Sequence, residues 1–155
     1  MLSVVNYTYD RSGVAEMSDW GFSSNWPVVY VIYNDEAAYV GETLDAIRRT
    51  EQHLQEASFS KFSHICLVSD RTFNKSVILD LESFLIKHMS ADGLRRLTNA
   101  NVGIVNHDYF YREAYEDEFK EVWRRFIDNG LARSSLAEIE NSELFKYSPY
   151  KSLNA

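Results

Sequence analysis

Two runs of β-branched and aromatic residues, 27–34 (PVVYVIYN) and 37–43 (AAYVGET), flank the polar pair Asp35-Glu36, with Asn34 just before it. That is turn chemistry between two strand-like runs, and it predicts a hairpin. Pro27 suits the first position of a strand, where its missing N–H costs least. After Gly41 the pattern becomes helical over LDAIRRTEQHLQ. Thr43 is the expected N-cap, Asp45 lies in the first turn, and Leu44, Ile47 and Leu54 define the buried side. At about 100° per residue, Arg49 and His53 lie roughly 200° and 240° around the helix from Ile47. The pattern therefore points both away from the core, toward the edge of an open groove.

The remaining segments follow the same logic. Residues 1–26 mix strand-like positions (Val4, Val5, Tyr7, Tyr9) with turn residues and the aromatics Trp20, Phe22 and Trp26, a lead-in that adds an edge strand or covers the sheet. A third strand is expected over Phe62–Val68. A turn at Asp70–Thr72 and an N-cap at Asn74 then introduce a helix over roughly Lys75–Met89, striped by Ile78, Leu81, Leu85 and Met89. Glu82 breaks that pattern, because its neighbours three and four residues away are Ile78, Leu79, Leu85 and Ile86. A carboxylate on such a face is costly unless it is paired or holds a metal. Asp92-Gly93 and the Asn-containing stretch 98–103 read as turns. Residues 110–129 carry Tyr111, Tyr115, Phe119, Val122, Trp123 and Phe126 at helical core spacing, and Gly130 is a natural stop.

The pattern predicts an α+β (mixed α/β) fold, with a small three-stranded, mainly antiparallel sheet flanked by helices and a C-terminal helical extension. A 155-residue chain that is 45% hydrophobic and 25% charged has the makings of one packed domain rather than of a disordered segment. The single cysteine, Cys66, excludes an intrachain disulfide framework and suits a reducing compartment. With no membrane-length apolar run and no signal-like N-terminus, the expected location is the cytoplasm, with no membrane partner. The net charge of −7 disfavours nucleic-acid binding by the surface as a whole. Any such binding must use a local patch, a metal or another domain. His64, His88 and His107 show no metal-ligand spacing with Cys66, so no zinc site is expected.

Taken in order, Tyr30, the triplet Tyr39-Val40-Gly41, Arg49, His53, Glu82 and then Asn99 or Asn101 form a set whose spacing resembles the GIY-YIG nuclease domain. The resemblance covers roughly residues 27–103. Its first triplet is reduced to Tyr30, with Val28 and Val29 in the places of Gly and Ile. Beyond that core, LTNANVG, the aromatic helix and IENSELFKYSPYKSLN resemble a branch in which the domain precedes a helicase-like P-loop ATPase in bacterial proteins. No Gly-x4-Gly-Lys-Ser/Thr loop occurs in the chain. The organisation this implies is a lead-in over 1–26, a nuclease-like core over 27–103, a helical extension over 104–141 and a tail over 142–155 that links to the ATPase.

The resemblance also implies a chemistry: hydrolysis of a DNA phosphodiester bond with one divalent ion, Mg2+ or Mn2+, held by Glu82. Arg49 would bind the scissile phosphate, and Tyr30 would position or activate water, with Tyr39 and His53 completing the network. Gly41, Asn99 and Asn101 would shape the site. Each residue also has an ordinary explanation. Strand tyrosines pack, a helical Arg or His is solvated, Glu82 pairs with a cation from elsewhere, and Asn99 turns the chain. Asp35, Glu36 and Glu42 would repel a phosphate without a cation between them. They leave a second function open, a catalytically silent nucleic-acid- or protein-binding module that regulates an attached ATPase.

Overall fold

The structure, a computed structural model, describes residues 1–99 and 115–146. The predicted hairpin forms from β2 (Val28–Tyr33) and β3 (Ala37–Thr43), antiparallel, with Tyr30 opposite Gly41 and Tyr33 opposite Ala38. Asn34 builds the turn, its Oδ1 accepting from the backbone N–H groups of Glu36 and Ala37, each at 2.8 Å. On the other side of β2 lies β4 (His64–Ser69), also antiparallel. This strand starts two residues later than the apolar pattern suggests. Phe62 is still turning, its N–H donating to Phe59 O as the 3-10 turn Ala57–Phe59 ends.

The sheet has five strands rather than three, in the order β1-β4-β2-β3-β5. β1 (Ser3–Thr8) pairs antiparallel with β4, so the lead-in supplies an edge strand of the same sheet. The two-residue β5 (Arg96–Leu97) runs parallel to β3 and covers only Ala37 and Ala38. Asn99 then takes over from the strand: its side chain accepts from Val40 N–H at 3.0 Å and donates to Val40 O at 2.7 Å. Among the described residues, no strand pairs with the outer edge of β3 from Gly41 onward.

Alternation along β2 and β4 sends side chains to two covered faces. Tyr30, Ile32, Ile65 and Leu67 meet α1 (Arg11–Met17) and α2 (Ala46–Leu54). Val29, Val31, Cys66 and Val68 meet α3 (Lys75–Asp92) and α4 (Glu116–Asp128). The sheet is thus the middle of three layers. Strands buried on both faces read as continuous apolar runs, which is why PVVYVIY and ICLV lack a polar alternation.

Asn74 caps α3 as expected, its Oδ1 accepting from Val77 N–H, and Gly93 ends the helix in the left-handed region at φ 68°. That end falls three residues beyond the expected Met89. Phe119, Val122, Trp123 and Phe126 of α4 are buried with α3, so the C-terminal extension shares the core of the sheet. The first part of the expected 110–129 helix, including Tyr111, lies outside the described residues, as do Asn101 and His107. Two short helices follow, α5 (Leu136–Glu140) and α6 (Glu143–Lys146). His88 Nε2 reaches Glu140 Oε2 at 2.9 Å, tying α5 to α3. No helix among the described residues is long and apolar enough to cross a membrane.

Candidate active site

α2 corrects the sequence reading in two ways. The helix begins at Ala46, with Asp45 as its N-cap accepting from Arg48 N–H at 3.2 Å. Thr43, the expected cap, ends β3 and accepts instead from Asp45 N–H. Ile47 and Leu54 pack against the core as expected, but the fully buried positions of α2 are Ala46, Thr50 and His53, and Leu44 is 50% exposed. His53 therefore does not face a groove; it is 6% exposed and points at the sheet. Thr50 can be buried there because its hydroxyl donates to Ala46 O at 2.7 Å. A helix whose buried face is small and polar defeats an argument from apolar periodicity.

His53 Nε2 lies 2.7 Å from the hydroxyl of Tyr30, which rises from the middle of β2. Nδ1 of the same ring faces Glu56 Oε1 at 3.2 Å. With neutral His53, the consistent arrangement puts the ring proton on Nδ1, toward the carboxylate. Nε2 is then free to accept from Tyr30. Burial lowers the His53 pKa and outweighs the pull of Glu56, which keeps the ring neutral. The rings of Phe59, stacked on His53 at 4.1 Å, and Tyr39, at 5.8 Å, fix its orientation. Neither Glu56 nor Phe59 stood out in the sequence. Glu56 sits at i+3 from His53, a spacing that could have flagged it.

Gly41 is opposite Tyr30 in the register, and a Cβ there would overlap the Tyr30 ring and its hydroxyl. Its backbone conformation is ordinary for a strand; its role is the space it leaves. The Tyr30 ring lies over β3 at that space, and burial holds its pKa above the usual phenol value. Arg49, half-buried on α2, is close enough for its charge to pull that pKa back down.

Glu82 arrives from the opposite layer. α3 packs beside β3, and the carboxylate is close enough to raise the pKa of both Tyr30 and Tyr39. This meeting of the two helical layers occurs past the end of β5, along the stretch of β3 that no described strand pairs. Burial, and then the neighbouring Glu42 carboxylate, raise the Glu82 pKa to about 7, with Lys75 opposing. Glu42 itself is paired with Lys75 Nζ at 2.6 Å. Asp35 and Glu36 sit at the hairpin turn, several residues along the strands from Tyr30 and Gly41. Beside the site runs a cleft of about 280 Å³ lined by Glu42, Arg48, Arg49, Gln52 and Lys75 among others.

Of the residues singled out in the sequence, Tyr30, Tyr39, Gly41, Arg49, His53 and Glu82 converge on this point. Asn99 acts behind it, holding Val40 between Tyr39 and Gly41. Cys66 is fully buried and burial pushes its thiol pKa up, which fits a core residue. His64 is exposed at the start of β4 and bonds Ser63, far from any ligand set. Among the described residues, no group of three or more His, Cys, Asp and Glu side chains could hold a metal. No family model matches the chain, and neither a curated protein nor a solved structure matches it.

Proposed function

We propose that this chain is a metal-dependent endonuclease domain that hydrolyses a DNA phosphodiester bond. The observation that carries the proposal is the buried 2.7 Å contact between Tyr30 and His53, with the charges of Arg49 and Glu82 both acting on that phenol. A phenol alone is a poor base near neutral pH. Here its proton has a prepared acceptor in His53 Nε2, and the resulting imidazolium has Glu56 against its other nitrogen. Tyr30 can thus take a proton from an attacking water while passing its own to His53. Arg49 binds the phosphate with a planar fork of donors. The ring of Tyr39 keeps the imidazole aligned.

Glu82 suits a hard divalent cation such as Mg2+ or Mn2+. It is a half-buried carboxylate beside a second one, and its charge is disfavoured until a cation compensates it. Bound there, such an ion would supply Lewis acidity for the phosphoryl oxygens. Among the described residues the site offers the ion the Glu82 carboxylate alone without an ion pair, so most of its ligands would be water and substrate.

The reading extends to location and partners as in the sequence: the cytoplasm, DNA, and an attached helicase-like P-loop ATPase. The alternative is a catalytically silent binding module that regulates such an ATPase, and the acidic balance of the chain favours it. Incubation with branched, single-stranded and duplex DNA in Mg2+ or Mn2+ separates the two. Cleavage by wild type that is lost in Arg49→Ala and Glu82→Gln supports the nuclease. Binding of DNA without cleavage, unchanged in Glu82→Gln, rejects it in favour of the silent module.

A further inference from the structure

The ion pair of Lys75 with Glu42 joins the start of α3 to the end of β3, and no regularity of either element requires it. Lys75 is the first residue of an 18-residue helix whose first turn contains no acidic residue. A cation there opposes the helix macrodipole, whose positive end lies at the N-terminus. The unfavourable position needs an offsetting partner, and Glu42 supplies one. Lys75 Nζ remains half-exposed, and its side chain lines the cleft that Arg48 and Arg49 line from α2. Glu42 is mostly covered, its side chain 19% exposed. The carboxylate is thus a fixed support, and the ammonium is the accessible end of the pair.

We propose that Lys75 is a second phosphate-binding cation of this cleft, opposite Arg49, and that Glu42 is its positioning residue. The ligand class is a nucleic-acid strand whose backbone phosphate enters between α2 and the start of α3. The inference rests on the nuclease reading and extends it to how an acidic protein holds a polyanion. The cleft carries the cations Arg48, Arg49 and Lys75 against the carboxylates Glu42 and Asp45, so it is locally positive in a chain of net charge −7. An ammonium has three donors on a flexible stem, so Lys75 can keep one on Glu42 and turn another to a phosphate oxygen.

The competing role is simple neutralisation, in which Lys75 only cancels the charge of Glu42 beside Glu82. A double-variant cycle separates the two. Binding of a fluorescein-labelled DNA oligonucleotide is followed by anisotropy in Ca2+, from about 50 to about 200 mM salt. Wild type, Lys75→Gln, Lys75→Arg, Glu42→Gln and the Lys75→Gln/Glu42→Gln double variant are compared. The double variant has the same net charge as wild type. If Lys75 contacts phosphate, Lys75→Gln and the double variant both bind about tenfold more weakly at low salt. In both, the slope of log K against log salt becomes shallower by about one, while Lys75→Arg keeps the wild-type slope. Return of the double variant to wild-type affinity and slope overturns the inference and leaves the nuclease reading standing. Wild-type protein with no salt-dependent binding to DNA overturns both.

Discussion

At the scale of single residues, the site is a stack of dependencies on the Tyr30 hydroxyl. Tyr30→Phe keeps the ring and its packing but removes the proton carrier between water and His53. Its expected effect is a fall in cleavage rate of about 10²- to 10⁴-fold with a stability loss of only about 1–3 kcal/mol from the unpaired His53 Nε2, read by single-turnover kinetics beside a thermal melt. Gly41→Ala acts by volume, since the added methyl would overlap the Tyr30 ring. Displacing a fully buried aromatic costs about 1–3 kcal/mol, measurable by urea denaturation, and activity should fall further than stability alone explains. Glu82 titrates in the opposite sense from most carboxylates. Its folded pKa, about 7, lies above the ordinary 4.5, so its contribution to stability is fully present below 4.5 and is lost as pH rises through about 7. Glu82→Gln should therefore melt above wild type at about pH 8, by on the order of 2 kcal/mol, with the gap closing toward about pH 5. Mg2+ should raise the melting temperature of wild type at about pH 8 and leave the variant unmoved.

At the scale of elements, β3 is held differently along its length. Ala37 and Ala38 are paired by β5, Val40 is held by the Asn99 side chain, and among the described residues no strand pairs Gly41 onward on that edge. Asn99→Ala removes two backbone contacts at the point that separates Tyr39 from Gly41. The expected loss is about 1–2 kcal/mol, with faster hydrogen exchange at the Val40 amide as its local signature. The hairpin and the α3 stripe were legible in the sequence because runs of Val, Ile and Tyr and a repeat of Ile78, Leu81 and Leu85 are strong local signals. The face of α2 was not. Ala46, Thr50 and His53 carry little apolar character, and their burial follows from what Tyr30 and Met17 place opposite them. The anomaly at Glu82 was visible as a break in a pattern. Its neighbour Glu42 and the partner Lys75, 33 residues away from Glu42, meet only through the tertiary fold.

At the scale of the whole molecule, two helical layers that lie on opposite faces of the sheet meet at one stretch of the β3 edge. The α2 layer contributes Arg49 and His53, and the α3 layer contributes Glu82 and Lys75. On the proposed reading, that meeting is what would let residues from opposite faces of a sheet serve one substrate.

The position of β1 bears on how the protein can be handled. β1 is the outermost strand beside β4, whose segment ICLV is apolar throughout and contains the cysteine. Trimming the first eight residues, as is routine when a flexible start is suspected, would leave β4 as a bare rim with unpaired amides and carbonyls. Such a rim recruits other chains, so the trimmed protein should collect in inclusion bodies while the untrimmed one stays dispersed. A purification tag is better placed where it does not burden that first strand.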